Sequence, residues 1–234
     1  MSSASKSSRK SPDGRAKKSA AKTSPRTSAS SKPSKPSTAS GSGPVALLAD
    51  LAAALRKRRL RWYVFGAQAA VAYGRPRMTA DVDVTVDLAQ TSTLTLVDDL
   101  SRAGFDLRID LGEDSLREAR LLPLVHRPTS MPIDLVIAAS SLHIEFLTRR
   151  RLIDLGGVRV PMISPEDLVV TKVLAGRPKD LEDVRGVLIE QPHLDLARIR
   201  DLLGQLEAAL GEDRLLRRLD RLIRKARPTA ARRR

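Results

Sequence analysis

Cysteine is absent from the 234 residues. That excludes disulfides, thiolate zinc sites and cysteine nucleophiles, and it fits a reducing compartment, with the cytoplasm as the expected one. Aromatic residues are scarce, with three Phe, two Tyr and one Trp, which leaves little for stacking on nucleobases. No apolar run approaches the roughly 20 residues that span a bilayer, so no membrane partner is expected. The N-terminus is basic, but no apolar stretch follows it as in a secretory signal. Its Ser-rich, acid-poor composition overlaps that of organellar transit peptides without their amphipathic apolar face. The histidines, His126, His143 and His193, lie far apart without metal-ligand spacing, so each reads as a surface or packing residue. There is no P-loop and no G-x-G-x-x-G.

Positive charge is abundant and unevenly placed. The formal net charge is +15, from 42 Lys and Arg against 27 Asp and Glu. Residues 1–44 hold ten Lys or Arg and one acid, Asp13, with no Val, Leu, Ile, Phe, Trp or Tyr. Such a segment buries too little apolar surface to offset its ordering entropy, so a disordered basic tail is expected. Residues 224–234 add six basic residues and no acid, as a second tail. The stretch between, 45–223, keeps 26 basic and 26 acidic residues once both tails are subtracted. The excess charge therefore lives in the tails, which attract nucleic acid nonspecifically through phosphate neutralisation. A merely solubilising extension is the equal alternative.

Hydrophobic spacing predicts a mixed α/β core over 45–162 and a helical region over 163–223. Leu48, Leu51 and Leu55 give a first helix over 45–59. A strand at Trp62–Phe65, a helix at Ala67–Tyr73 and a strand at Asp81–Asp87 follow. Further strands are predicted near 105–110, 121–126 and 131–138, with helices at 91–103, 113–120 and 141–150. Gly156-Gly157 reads as a hairpin turn. Ser164-Pro165-Glu166-Asp167 is a helix start, with a capping serine, proline at the first helical position and acids in the first turn. Helices near 178–190, 195–209 and 212–225 complete the reading.

The stretch Asp81-Val82-Asp83-Val84-Thr85-Val86-Asp87 carries the chemistry. Period-two geometry puts the valines on one face and Asp81, Asp83, Thr85 and Asp87 on the other. Two carboxylates on one face repel unless a cation joins them, and Mg²⁺ takes carboxylate, phosphate and water oxygens. Asp134, between Ile133 and Leu135, is the candidate third carboxylate from a neighbouring strand. Gly66, between strand and helix, would let phosphates approach backbone N–H groups. An edge strand with a solvated acidic face remains the plain alternative at this point.

The order of motifs resembles the DNA polymerase β-type nucleotidyltransferase superfamily. It runs Gly66-Ala67, then Arg77-x-Thr79-x-Asp81-x-Asp83, then Asp134 on a later strand. Within it, the chain is most similar to the bacterial AbiEii toxin-type group. That group has a downstream helix like Ser164-Pro165-Glu166-Asp167-Leu168, followed by Lys172-x-Leu174-Ala175-Gly176-Arg177-x-Lys179-Asp180-x-x-Asp183. The resemblance implies a small mixed sheet flanked by helices, with a C-terminal helical region. It implies that Asp81, Asp83 and Asp134 bind two Mg²⁺ ions, or Mn²⁺, and that Asp134 helps activate an acceptor hydroxyl. Gly66, Ala67 and Gln68 would form the phosphate-binding turn, with Arg77 and Thr79 beside the phosphates or fixing the turn. Lys172 would reach the triphosphate. Asp180 and Asp183 match a further acidic motif, with a solvated helix surface as the alternative. Ala67 stands where the superfamily usually has Ser or Gly, so Gln68 or the backbone must take over that contact.

The expected activity is transfer of an NMP from an NTP to a hydroxyl on RNA, protein or a small molecule, with release of pyrophosphate. The rival reading is a non-catalytic or antitoxin-like protein of the same fold that binds a partner or nucleic acid. Partners implied are an NTP, an RNA acceptor and an antitoxin. Asp87, two positions beyond the pair, is left outside the site.

Overall fold

The computed structural model describes residues 43–230, with side chains to residue 226. Residues 1–42, which make up nearly all of the expected N-terminal tail, and residues 231–234 lie outside the described residues. In chain order the elements are α1 (Gly43–Lys57), β1 (Arg61–Phe65), α2 (Gly66–Tyr73), β2 (Val82–Asp87), α3 (Thr93–Arg102), β3 (Phe105–Leu107), α4 (Glu113–Glu118) and β4 (Leu121–His126). Then come β5 (Met131–Ile137), α5 (Ser141–Arg149), β6 (Arg151–Leu155), β7 (Val158–Met162), α6 (Pro165–Ala175), α7 (Pro178–Glu190), α8 (Leu196–Leu210) and α9 (Leu215–Ala230).

The strands form one mixed seven-stranded sheet, ordered β3-β4-β5-β2-β1-β7-β6. β2 lies at its centre, antiparallel to β1 and parallel to β5. Its alternation decides the layers. Val82, Val84 and Val86 are fully buried, together with Ile133 and Leu135 of β5 and Leu122 and Leu124 of β4. α1 covers this apolar face with Leu47, Leu48, Leu51 and Leu55. His126 of β4 is fully buried beneath α1, where it bonds Asp50 and stacks on Phe105 at 4.7 Å. It is a packing histidine. The opposite face, which carries Asp83 and Thr85, meets α2 and the C-terminal helices. Thr85 is buried, while Asp83 and Asp87 on either side of it are half-buried, so this face is covered along its middle.

The C-terminal helices pack on that second face. α6 starts at Ser164, whose buried hydroxyl accepts a hydrogen bond from the Asp167 N–H at 3.1 Å, with Pro165 next. It ends at Gly176 in left-handed backbone, φ 67°. α9 corrects one boundary. It runs to Ala230, so the residues expected to start a basic tail at 224 continue a helix. The reason is the buried stripe Leu215, Leu219, Leu222 and Ala226, whose helical spacing carries on beneath the basic residues.

Ser164 holds the first turn of the helix that carries Lys172. Replacing Ser164 with Ala is expected to cost about 1 kcal/mol. In a domain of this size that lowers the thermal midpoint by ~2–4 °C, measurable by circular dichroism.

Candidate active site

The site begins with register. β2 and β5 pair in parallel with Asp83 directly beside Asp134. On the next strand Pro123 pairs with Asp134, and beyond it the Arg108 N–H donates to the Pro123 carbonyl at 2.8 Å. Arg108, just past the end of β3, therefore lies in one row with Pro123, Asp134 and Asp83 of the three neighbouring strands. The proline ring is short, and the Arg108 guanidinium spans it to pair with the Asp134 carboxylate. Arg108 was not foreseen. Continuing the alternation of β3 by one residue puts it on the face opposite Phe105, but only the register shows what it faces.

Asp83 fits against the β1–α2 junction. Gly66 has φ 62°, and a Cβ there would lie 1.8 Å from Asp83 Oδ2. The carboxylate itself fills the space that the missing side chain leaves, and it accepts a hydrogen bond from the Ala67 N–H. Burial pushes the Asp83 carboxyl above its ordinary value. The charges of Asp81 and Asp134 push the same way, while the Ala67 N–H and Lys172 oppose them. α2 has no side-chain cap, so its first turn presents N–H groups to an incoming anion. The Gln68 side-chain amide Nε2 in that turn is buried without a hydrogen-bond partner.

The segment from Gly74 to Asp81 is pinned on both sides of Met78. Arg77 makes a two-pronged contact with Asp183, at 2.8 and 2.9 Å. Thr79 Oγ1 donates to the Asp81 side chain at 3.1 Å. Both residues thus fix the turn. Asp81 is exposed and lies one residue before β2.

The second acidic motif is no solvated surface. Asp180 and Asp183 are buried, at 3% and 9% exposure, and so is Lys172 at 6%. The Lys172 ammonium lies between them, 3.0 Å from Asp180 Oδ1 and 2.8 Å from Asp183 Oδ2. Arg177 adds a 2.6 Å contact to Asp180. Burial opposes ionisation of both carboxyls, but hydrogen bonds from Arg177 and Lys172 to Asp180, and from Arg77 and Lys172 to Asp183, outweigh it. Both are held below their ordinary values. The downstream motif and the Arg77 turn are one network, and its lysine acts electrostatically on Asp83.

Asp87 lies at the far end of β2, paired with Arg61 at 2.5 Å. Among the described residues, no three His, Asp or Glu side chains are gathered closely enough to cage a metal ion by themselves.

Residues 46–223 match the family described as nucleotidyltransferase of unknown function, DUF6036. The chain belongs to that nucleotidyltransferase family. No curated protein matches the sequence. Among solved structures, the chain resembles the antibiotic-resistance factor ANT(2'')-Ia in solution, with TM-score 0.51 and 14% identity over 72% of this chain and 93% of that one. The crystal structure of ANT(2'')-Ia with adenylyl-2''-tobramycin gives TM-score 0.51 and 15% identity over 72% and 99%. An antigenic nucleotidyltransferase-like protein from Paracoccidioides brasiliensis gives TM-score 0.46 and 17% identity over 70% and 87%. The ANT(2'')-Ia likeness is one of fold, and it places this nucleotidyltransferase sheet in known company. Among the described residues, no helix is long and apolar enough to cross a membrane.

Two outcomes test this geometry. Gly66→Ala forces a side chain into left-handed backbone, about 1–2 kcal/mol, and into the Asp83 carboxylate. Both the thermal midpoint and any transfer activity should fall. Lys172→Met leaves buried carboxylates short of a partner and should cost about 3–5 kcal/mol. Because Asp180 and Asp183 sit below their unfolded values, their contribution is present above about pH 4 and is lost as the pH falls through the lowered folded values. The acid-side decline of the melting temperature should therefore be shallower in Lys172→Met than in wild type.

Proposed function

We propose that this protein is a Mg²⁺-dependent nucleotidyltransferase that moves an NMP from an NTP to a hydroxyl acceptor and releases pyrophosphate. The observation that carries the reading is Asp83, seated on Gly66 and in register beside Asp134. The donors fit the ion. Asp81, Asp83 and Asp134 offer only hard carboxylate oxygens, and nucleotide phosphates and water complete such a shell. When bound, Mg²⁺ or Mn²⁺ supplies charge neutralisation on the triphosphate and a more acidic acceptor hydroxyl.

The chain's own residues do the rest. The α2 N–H groups after Gly66 and the unpartnered Gln68 amide receive phosphate oxygens, where the superfamily's usual serine is replaced by Ala67. Asp134, once Arg108 lets go of it, takes the proton from the acceptor hydroxyl. That oxygen then attacks the α-phosphorus in line, and the bond to pyrophosphate breaks as the new P–O bond forms. Lys172 works through its field on Asp83 and reaches a phosphate only by leaving Asp180 and Asp183. The motif order supports placing the chain near the AbiEii toxin-type group, with an antitoxin as partner. RNA is the acceptor class that the basic tails favour, and the lack of cysteine supports a cytoplasmic location. ANT(2'')-Ia, crystallised with adenylyl-2''-tobramycin, makes a small-molecule hydroxyl the other acceptor to test.

The test is incubation with each α-³²P-labelled NTP and Mg²⁺ in cell lysate, then RNase or protease treatment of the labelled product. Label should appear with wild type and vanish with Asp81→Asn and Asp83→Asn. If no label appears, or if it survives both substitutions, the protein is a non-catalytic binder of the same fold. Asp83→Asn should also melt no lower than wild type near neutral pH. A raised carboxyl favours the folded state below its unfolded value and costs stability once ionised, and asparagine removes that cost.

A further inference from the structure

A second charged site lies at the opposite end of β1 from Gly66. Five arginines line a trough of about 320 Å³ there: Arg56, Arg59, Arg61, Arg150 and Arg159. They come from the end of α1, the turn after it, the start of β1, the end of α5 and the outer part of β7. The fold alone brings them together. Residues 45–223 carry equal numbers of basic and acidic side chains, so this is local segregation of charge rather than a general excess.

Two of the five are already engaged. Arg61 pairs with Asp87, and Arg150 donates to the Leu147 carbonyl. Among the described residues, no acidic side chain pairs with Arg56, Arg59 or Arg159, and all three are exposed. The C-terminal dipole of α1 accounts for a cation at Arg56. It does not account for Arg59, held in left-handed backbone at φ 55°, or for Arg159 on another strand. A trough lined by one sign of charge over a low-dielectric floor focuses its field on an anion. The floor holds Leu60 and Trp62, at 8% and 7% exposure, so no ring is presented for base stacking. Three residues of β1, Tyr63 to Phe65, separate the trough's Trp62 from Gly66, ~13 Å along the strand, so an anion here is not the NTP triphosphate.

We infer that this trough binds the phosphodiester backbone of a nucleic acid, and holds it apart from the catalytic centre through Arg56, Arg59 and Arg159. Exposed guanidinium groups over a floor whose one ring is buried read charge and spacing, as backbone contacts do. The basic N- and C-terminal segments extend the same charge along the chain. Binding here does not rest on the chemistry at Asp83, and the two are measured separately.

The experiment uses the full-length chain and fluorescence anisotropy with a labelled single-stranded RNA and a duplex DNA of matching sequence. Salt is varied from about 50 to 200 mM. The triple variant Arg56→Gln, Arg59→Gln, Arg159→Gln should lower the slope of log K against log salt by about 2 for RNA and slightly more for duplex DNA, from ~0.7 and ~0.9 per phosphate contact. At 0.1 M salt that is a loss of roughly a hundredfold. The charge-matched triple Arg102→Gln, Arg117→Gln, Arg185→Gln should leave the slope unchanged. The arm with the larger loss tells which nucleic acid the trough prefers. Equal effects from both triples, or no effect from the first, would overturn the assignment. So would unchanged RNA binding with lost binding of poly-glutamate, which would make the trough a site for an acidic protein. In the wild-type chain, RNA should protect Arg59 and Arg159 from phenylglyoxal, read by mass spectrometry. This arm keeps the test open if the triple variant does not fold, and absence of protection would equally reject the site.

Discussion

At the end of β1 the Asp83 carboxylate occupies the volume that a side chain on residue 66 would need. Much follows from that contact. It requires glycine at the junction, and it turns the start of α2 toward the carboxylate through the Ala67 N–H. It also fixes where the central strand sits relative to the helix behind it. The register of β2 with β5 then puts Asp134 beside Asp83. Negative charge is concentrated where one end of the sheet opens. Burial, and then the charges of Asp81 and Asp134, hold Asp83 above its ordinary value.

The cations supplied by the chain come from two sides. Arg108 reaches Asp134 across Pro123. Lys172 lies behind, between Asp180 and Asp183, and those two carboxylates are tied in turn to Arg177 and Arg77. Buried ion pairs contribute less to net stability than their number implies, because desolvation offsets much of the attraction. What this network does is positional. It links α6, α7 and the segment before β2, so that Asp81, Arg77 and Lys172 keep fixed places around the opening.

A different division of labour holds at the other end of β1. There Arg56, Arg59 and Arg159 gather with no acidic side chain paired to them among the described residues, although residues 45–223 are neutral as a whole. Acid at one end of the strand and base at the other give the protein two electrostatically distinct surfaces on one rigid element.

Alternation alone determined which face of Asp81–Asp87 is core, because valines at every second position can be buried only on one side of a strand. Local chemistry likewise marked the head of α6, where serine, proline and acids stand in the order that a helix start needs. The spacing of Asp83, Asp134 and Lys172 along the chain was legible as a resemblance. Their relation in space was not, because register and helix docking are set by contacts between residues far apart in sequence. Sequence left Asp180 and Asp183 poised between a solvated surface and a functional motif. Burial removed the solvated surface, since a carboxylate out of water must be paired, and α6 brings Lys172 to both. It left Arg108 and Arg159 as unremarkable basic residues on short strands. Only the tertiary structure decided that one faces Asp134 and the other joins a cationic trough, because a side chain's partner depends on the strand that lies next to its own.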